Sequence, residues 1–263
     1  MNTKCINLVD MRNISKSFGK VVALKKVNFK IGSNEVVGLI GDNGAGKSTL
    51  IKILMGVYPP DKGEIFVRDT KIPIHHYSAK AAHERRIEAV YQEKALGEKQ
   101  PLWRNIFLGR QITTKMGFIN TKREKQETER IMKELIGFRS KGISADSRVS
   151  SLSGGERQGV AIGRAMYFDA DLIILDEPTV ALSVREVEKV LNFIKQVKKA
   201  GKSCILITHN ISEEYLVADR FVIMDRGEIV GEYKKEEVTL TELISKLVRA
   251  AGGNEEEAGA LRK

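Results

Sequence analysis

The apolar positions change period along the chain, and the changes mark out its elements. "KKVNFKI" places Val27, Phe29 and Ile31 at every second residue, the pattern of a strand with one buried face. "EVVGLIG" then runs apolar from Val36 to Ile40 without a break, which predicts a strand covered on both faces. Leu50, Ile51, Ile53 and Leu54 follow at helical spacing, and Gly56 with "YPPDKGE" closes that helix in a turn before the strand-like "EIFVR".

From 92 to 150 the strand pattern is interrupted. "TKREKQETERIMKELIGF" predicts an amphipathic helix with Ile131, Leu135 and Ile136 on one face. Apolar strands return in "DLIILDEP", "SCILITH" and "RFVIMDRGEIV", separated by helical text. In "SVREVEKVLNFIKQVKKAGK", Val184, Val187, Leu191, Ile194 and Val197 form one predicted stripe, and Gly201 is the stop. Strands alternating with helices imply an α/β fold, a mostly parallel sheet with helices on both faces. The expected organisation is one domain over 1–263. Its core comprises 1–91 and 151–251, its inserted helical subdomain 92–150, and its loosely ordered tail 252–263.

Composition narrows the picture. The 263 residues are 42% hydrophobic and 30% charged, which predicts a folded globular chain. Basic residues outnumber acidic ones 44 to 34, for a net charge of +10. That excess fits either an anion-binding patch or a well-solvated surface, and the lysines are scattered among acids rather than blocked together. Cys5 and Cys204 match no metal or redox spacing, and "SCILIT" predicts a buried Cys204 in a protein kept reduced. No stretch reaches the roughly 18 apolar residues of a membrane span, so any spans must come from another chain.

The chemistry concentrates in a few short stretches. "GDNGAGKST" matches G-x-x-x-x-G-K-[ST] between an apolar strand and an amphipathic helix. Such a loop turns successive N–H groups inward around phosphates. The nucleotide site predicted here comprises Gly41, Asp42, Asn43, Gly44, Ala45, Gly46, Lys47, Ser48 and Thr49. Lys47 supplies a charge to the β- and γ-phosphates, and the Ser48 hydroxyl a ligand to Mg²⁺. Asp176 and Glu177 end a strand, where ligands of a parallel sheet collect: Asp176 for Mg²⁺, Glu177 to polarise an attacking water. His209 arrives at the same edge and is placed to contact the γ-phosphate, while the Gln92 amide reaches Mg²⁺ or the water. His75, His76 and His83 earn no role. "SLSGGERQ" raises a separate question, because Ser153, Gly154 and Gly155 form a second potential anion site at a helix start.

Together these stretches resemble the ATP-binding subunit of an ABC transporter, over about 10–252. "GDNGAGKST" and "LIILDE" match the Walker A and B motifs, "YQEK" the Q-loop, "ITHN" the switch histidine and "LSGGERQ" the signature. The resemblance implies a P-loop NTPase core with an N-terminal antiparallel β part. Phe18 in "KSFGKVVAL" matches the aromatic that stacks on adenine. Within the family, "GDNGAGKSTLIKILMGVYPPDKGEI" is most similar to ATPases of bacterial monosaccharide importers of the ribose, xylose and fructose branch. That branch usually fuses two ATPase units, whereas this chain holds one, and the D-loop ends in Ser183 rather than the common Asp.

The resemblance implies an ATP-hydrolysing motor of an importer, with ATP and Mg²⁺ as cofactors, at the cytoplasmic face of the membrane. Its partners would be a second copy, integral membrane permease subunits and, indirectly, a substrate-binding protein, with no specific nucleic acid. Ser153, Gly154 and Gly155 would then complete the partner copy's ATP site. "PLWRNIFLG", with Trp103, Ile106 and Phe107, is read either as the permease docking patch or as subdomain core. The rival functions are a soluble ABC-type ATPase acting on nucleic acid or ribosomes, and a P-loop kinase of small molecules. The kinase leaves "LSGGERQ" without a purpose.

Overall fold

The computed structural model describes residues 7–90, 96–135, 142–180, 182–250 and 252; Leu135 is described in its backbone alone. Cys5, Gln92, Ile136, the D-loop residue Ala181 and positions 253–263 lie outside the described residues.

The strands are β1 (Asn7–Phe18), β2 (Val21–Gly32), β3 (Val36–Ile40), β4 (Lys62–Val67), β5 (Thr70–Lys71), β6 (Ile87–Val90), β7 (Leu172–Asp176), β8 (Ser203–Ile207), β9 (Arg220–Asp225) and β10 (Glu228–Lys234). The helices are α1 (Lys47–Leu54), α2 (Ala79–Glu84), α3 (Leu102–Phe107), α4 (Thr121–Arg130), α5 (Gly154–Tyr167), α6 (Val184–Lys199), α7 (Ile211–Val217) and α8 (Leu240–Ala250). The described residues fall into two compact units. One comprises Met1–Ala89, Asp171–Glu177 and Leu191–Lys263, the other Val90–Ala170 and Pro178–Val190.

The first unit holds two sheets. One has the order β2-β1-β4-β5 and is antiparallel. The other has the order β10-β9-β3-β8-β7-β6, with β9, β3, β8 and β7 parallel and β10 antiparallel to β9. β2 keeps Val27, Phe29 and Ile31 buried on alternate positions; the register against β1 shifts beside Lys26, whose φ of 49° marks the irregularity. All five residues of β3 are buried, as are all five of β8, the uninterrupted apolar pattern of strands covered on both faces. Leu50, Ile53, Ile174, Ile205 and Val222 meet in one core cluster. Cys204 is buried and free, and burial pushes its thiol upward, leaving it inert.

The second unit has its own core of Leu102, Ile106, Phe107, Ile131, Val149 and Val160. Ile106 and Phe107 are therefore core residues, and of the three proposed docking residues only Trp103 is partly exposed. α4 ends at Arg130 and the chain widens into a π-helical turn over Ile131–Leu135, which keeps Ile131 and Met132 buried.

One residue departs from the expected stripe of α6. Val184 is 86% exposed, whereas Val190, Leu191, Ile194 and Val197 are buried. Val184 is the first residue of α6, and no other segment among the described residues covers its side chain. A pair of variants tests this division by urea unfolding. Ile205→Ala should cost about 2–5 kcal/mol, the range for a truncated core aliphatic. Val184→Ala should stay within about 0.5 kcal/mol, as for surface changes.

Candidate functional site

Close contacts shape the loop between β3 and α1. Gly41 has φ 153°, and a Cβ there would lie 2.2 Å from the Met224 carbonyl oxygen. Gly46, with φ 104°, precedes α1; a Cβ would meet the Ala23 carbonyl at 2.8 Å. No side chain caps α1, so its first N–H groups remain available to an anion. Ala45 is buried and its N–H donates to the Asp42 carbonyl, which pins the turn, while Asp42, Asn43, Gly44 and Ser48 are exposed and Thr49 is half-buried. Lys47 Nζ donates to the carbonyls of Gly41 at 2.6 Å and Asp42 at 3.0 Å, so the ammonium is held inside its own loop. Burial pulls its pKa down, against the fields of Glu177 and Asp176.

Asp176 is the last residue of β7 and Glu177 follows it. Successive strand residues point to opposite faces, yet Glu177 is turned to the edge by a left-handed backbone, φ 52°. Its N–H donates to the Ile207 carbonyl at the end of β8. A non-glycine residue in this region is uncommon and costs on the order of 1–3 kcal/mol. Its carboxylate Oε2 lies 2.9 Å from His209 Nδ1, and the His209 side chain is 74% exposed. Burial, and then the neighbouring Glu177, push the Asp176 carboxyl up. A cation beside this pair would relieve both effects. That donor chemistry, with the exposed Ser48 hydroxyl, fits a magnesium ion.

Two further groups escaped the sequence reading. Glu214 on α7 is fully buried, and neither carboxylate oxygen has a hydrogen-bond partner among the described residues. Burial first, and then Glu177, hold its pKa well above the usual carboxylate range. It lies against Gly38 of β3, where a Cβ would come within 2.8 Å of the Glu214 carboxyl carbon. Tyr58 stands edge-on to the exposed Phe18, with centroids 5.4 Å apart and planes at 73°. A glutamate amid helical text reads as surface, and only the packing of α7 on β3 reveals otherwise.

The signature stretch lies in the second unit. Ser153 caps α5: its Oγ accepts from the Glu156 N–H, and its own N–H donates to Glu156 Oε2. Glu186, in the first turn of α6, reaches this terminus. Its Oε1 accepts from the Gly155 N–H at 3.1 Å, and its Oε2 from the N–H and hydroxyl of Ser183. These donors hold the carboxyl at about 2. A Cβ on Gly155 would lie 2.7 Å from the Glu186 side chain, so glycine makes the approach possible. The serine three residues before this glutamate is the one sequence sign of the clamp.

Comparison with known proteins agrees with this geometry. The family model described as ABC transporter matches residues 24–180. The chain is 43% identical over 247 residues to a xylose/arabinose import ATP-binding protein of Sulfolobus acidocaldarius, covering 94% of this chain and 96% of that one. It is 35% identical to a ribose import ATP-binding protein of Caldanaerobacter subterraneus, covering 92% of this chain but 47% of that one. The chain thus spans nearly all of the first relative and about half of the second. Among solved structures, a dimeric ATP-binding cassette in a post-hydrolysis state with ADP and Pi superposes with a TM-score of 0.72 at 25% identity, covering 86% of this chain and 98% of that chain. A cassette in its ADP conformation gives a TM-score of 0.77 at 23% identity over 94% and 99% of the two chains, a likeness of fold. With its phosphate loop, its paired carboxylates at the sheet edge and its capped signature helix, the chain belongs to the ABC transporter family and is an ATP-binding, ATP-hydrolysing cassette.

Proposed function

We propose that the chain is the motor subunit of a membrane importer for a monosaccharide, bound to the cytoplasmic face of the membrane through separate permease subunits. Its similarity to xylose/arabinose, ribose and xylose import ATP-binding proteins supports the sugar and the direction. Among the described residues no helix is long and apolar enough to cross a membrane. A substrate-binding protein would deliver the sugar to the permease, and residues 92–150 would face the membrane subunits.

In this reading, Gly41–Thr49 cradle the phosphates and Lys47 leaves its carbonyl partners to meet them. Phe18 stacks on adenine. Ser48 and Asp176, with Gln92, would hold Mg²⁺, which supplies charge neutralisation at the phosphates when bound. Glu177 polarises the attacking water, and His209, already hydrogen-bonded to it, orients that carboxylate and contacts the γ-phosphate. Ser153, Gly154 and Gly155 complete the site of a second copy.

The observation that carries the trans assignment is Glu186. A carboxylate rests at the N-terminus of α5 on the Gly155 N–H, so this terminus already binds an anion. A partner's γ-phosphate would take over donors that Glu186 keeps oriented.

Three outcomes test these assignments. Glu177→Gln should reduce turnover at least about 10²-fold, the lower end of general-base effects, yet retain ATP and elute as a dimer in gel filtration; a monomer under ATP counts against the scheme. Ser153→Arg and Lys47→Ala chains should each be inactive, while their mixture regains activity, because a mixed dimer keeps one intact site. A mixture no better than its components overturns the trans assignment. Glu186→Gln removes a carboxylate whose folded pKa, about 2, lies below its unfolded value of about 4.3. Its stabilising effect is full above that unfolded value and is lost as pH falls towards 2. The urea midpoint of the variant should therefore trail the parent's at pH 6, and the gap should narrow steadily between pH 5 and pH 2.

A further inference from the structure

The stretch "YPPDKGE", which the sequence marks only as a turn, brings two residues to the exposed end of β1. Tyr58 stands edge-on to the Phe18 ring, 5.4 Å away between centroids. Asp61 acts on the same ring through Lys16. Its Oδ1 accepts from Lys16 Nζ at 2.8 Å, and its Oδ2 from the Ser17 N–H at 2.7 Å. The ammonium so held lies over the Phe18 ring, 5.5 Å from its centroid. Pro59 and Pro60 separate Tyr58 from Asp61, and their two locked φ angles fix the spacing. The stretch is anchored at both ends. The Val57 N–H donates to the Lys52 carbonyl of α1 at 2.8 Å, and the Asp61 N–H to the Ser15 carbonyl of β1 at 2.8 Å. Lys52 Nζ in turn lies over the Tyr58 ring, 5.9 Å from its centroid.

The aromatic pair is tethered but not covered. Phe18 is 44% exposed and Tyr58 37%. Val21, which pairs with Phe18 across the β1–β2 turn, is exposed too, as are Val22 and Val57. Neighbouring exposed apolar side chains mark a binding surface. Its place in the fold points to the ligand. β2 runs from this turn to Ala23 and Leu24, which lie against the loop over 41–49. A Cβ on Gly46 would be 2.8 Å from the Ala23 carbonyl oxygen and 2.9 Å from the Leu24 side chain. α1 starts at the same loop, at Lys47, and carries Lys52 to the Tyr58 ring. The aromatic patch and the loop therefore share two elements, β2 and α1. A flat ring system is the complement of an exposed aromatic face, and the base of a nucleotide held at the loop supplies one.

We propose that Tyr58 is a positioning residue of the base subsite, holding the Phe18 ring at the angle from which it stacks on a purine. This rests on the reading of Phe18 as the adenine-stacking residue and adds to it the group that fixes the ring. A phenylalanine side chain turns about two single bonds, and a base that stacks on a turning ring must first order it. The edge contact from Tyr58, in a geometry that aromatic pairs favour, orders the ring before the base arrives. The ammonium of Lys16 tethers the same ring through its π density.

The test uses the full chain and two probes, MgATP and magnesium tripolyphosphate, which share the phosphates and differ in the nucleoside. Calorimetry gives the preference for ATP as the ratio of the two Kd values. Phe18→Ala should lower that preference at least about fivefold, the lower end for loss of a base-stacking aromatic. Tyr58→Leu should lower it at least about twofold, the lower end for loss of an aromatic pair. Tyr58→Phe keeps the ring and should keep the parent preference. Tyr58→Leu added to Phe18→Ala should change nothing more, because no ring is left to position. Circular dichroism checks that each variant folds, and Tyr58→Met serves as a second side chain without a ring. A parent preference in Tyr58→Leu, beside a loss in Phe18→Ala, overturns the role of Tyr58 and leaves the reading of Phe18 standing. An unchanged preference in Phe18→Ala overturns both. Weaker binding of both probes alike in Tyr58→Leu, a loss in Tyr58→Phe, or a further loss in the double variant also overturns the positioning role.

Discussion

One desolvated ammonium among carboxyl groups governs the sheet edge where β3 and β7 end. Lys47 is partly buried, bound to two carbonyls of its own loop, and lies in the fields of Glu177, Asp176 and Glu214. The carboxyls are pressed the other way: burial raises both Asp176 and Glu214, and Glu177 raises each of them further. Such a cluster is poorly satisfied alone and well arranged for a ligand that brings both phosphate and a divalent cation. The tight backbone of Gly41 and Gly46 holds the loop in place, and Gly38 leaves room for Glu214 behind it. Preorganised charge of this kind is usually the largest part of catalytic stabilisation.

The signature helix follows the same logic with the sign reversed. The start of α5 is a set of donors, and the chain provides its own anion there in Glu186. Ser153 and Glu156 satisfy one another in a capping box, and Glu186 links the terminus to the start of α6 through Ser183. The two anion-binding features of the sequence therefore differ in kind. The first holds a lysine inside a loop beside uncapped N–H groups, and the second is a capped helix start with a resident carboxylate.

The helical unit shows how a polar residue within a buried face acquires meaning. Ile106, Phe107 and Ile131 form an ordinary apolar core. Glu124 and Thr128 are buried on the same helix, and Thr128 is satisfied by the Glu124 carbonyl. Glu124 is satisfied at one oxygen only. The alternation of charges in "TKREKQETER" made this helix read as solvated outside Ile131 and its neighbours, and no periodicity distinguishes a buried glutamate from an exposed one.

What the sequence determined by itself is local. Continuous apolar runs specified β3, β7 and β8, because a strand buried on both faces has no polar positions to spare. The order of Gly41, Gly46, Lys47 and Ser48 specified a tight loop that leads into an uncapped helix, because each residue acts through its own backbone or through its neighbours'. The tertiary structure decided the properties that depend on distant segments. Val184 lies in solvent because no other segment among the described residues covers the first position of α6. Glu177 turns toward His209 because its amide bonds to the end of β8, thirty residues away in sequence. Glu214, Glu186 and Glu124 carry the same side chain, yet one is fully buried against Gly38 of β3, one caps a neighbouring helix and one ends an apolar cavity. Composition and periodicity assign all three to a surface, because the free energy of a carboxylate depends on the donors and dielectric around it, and only packing supplies those.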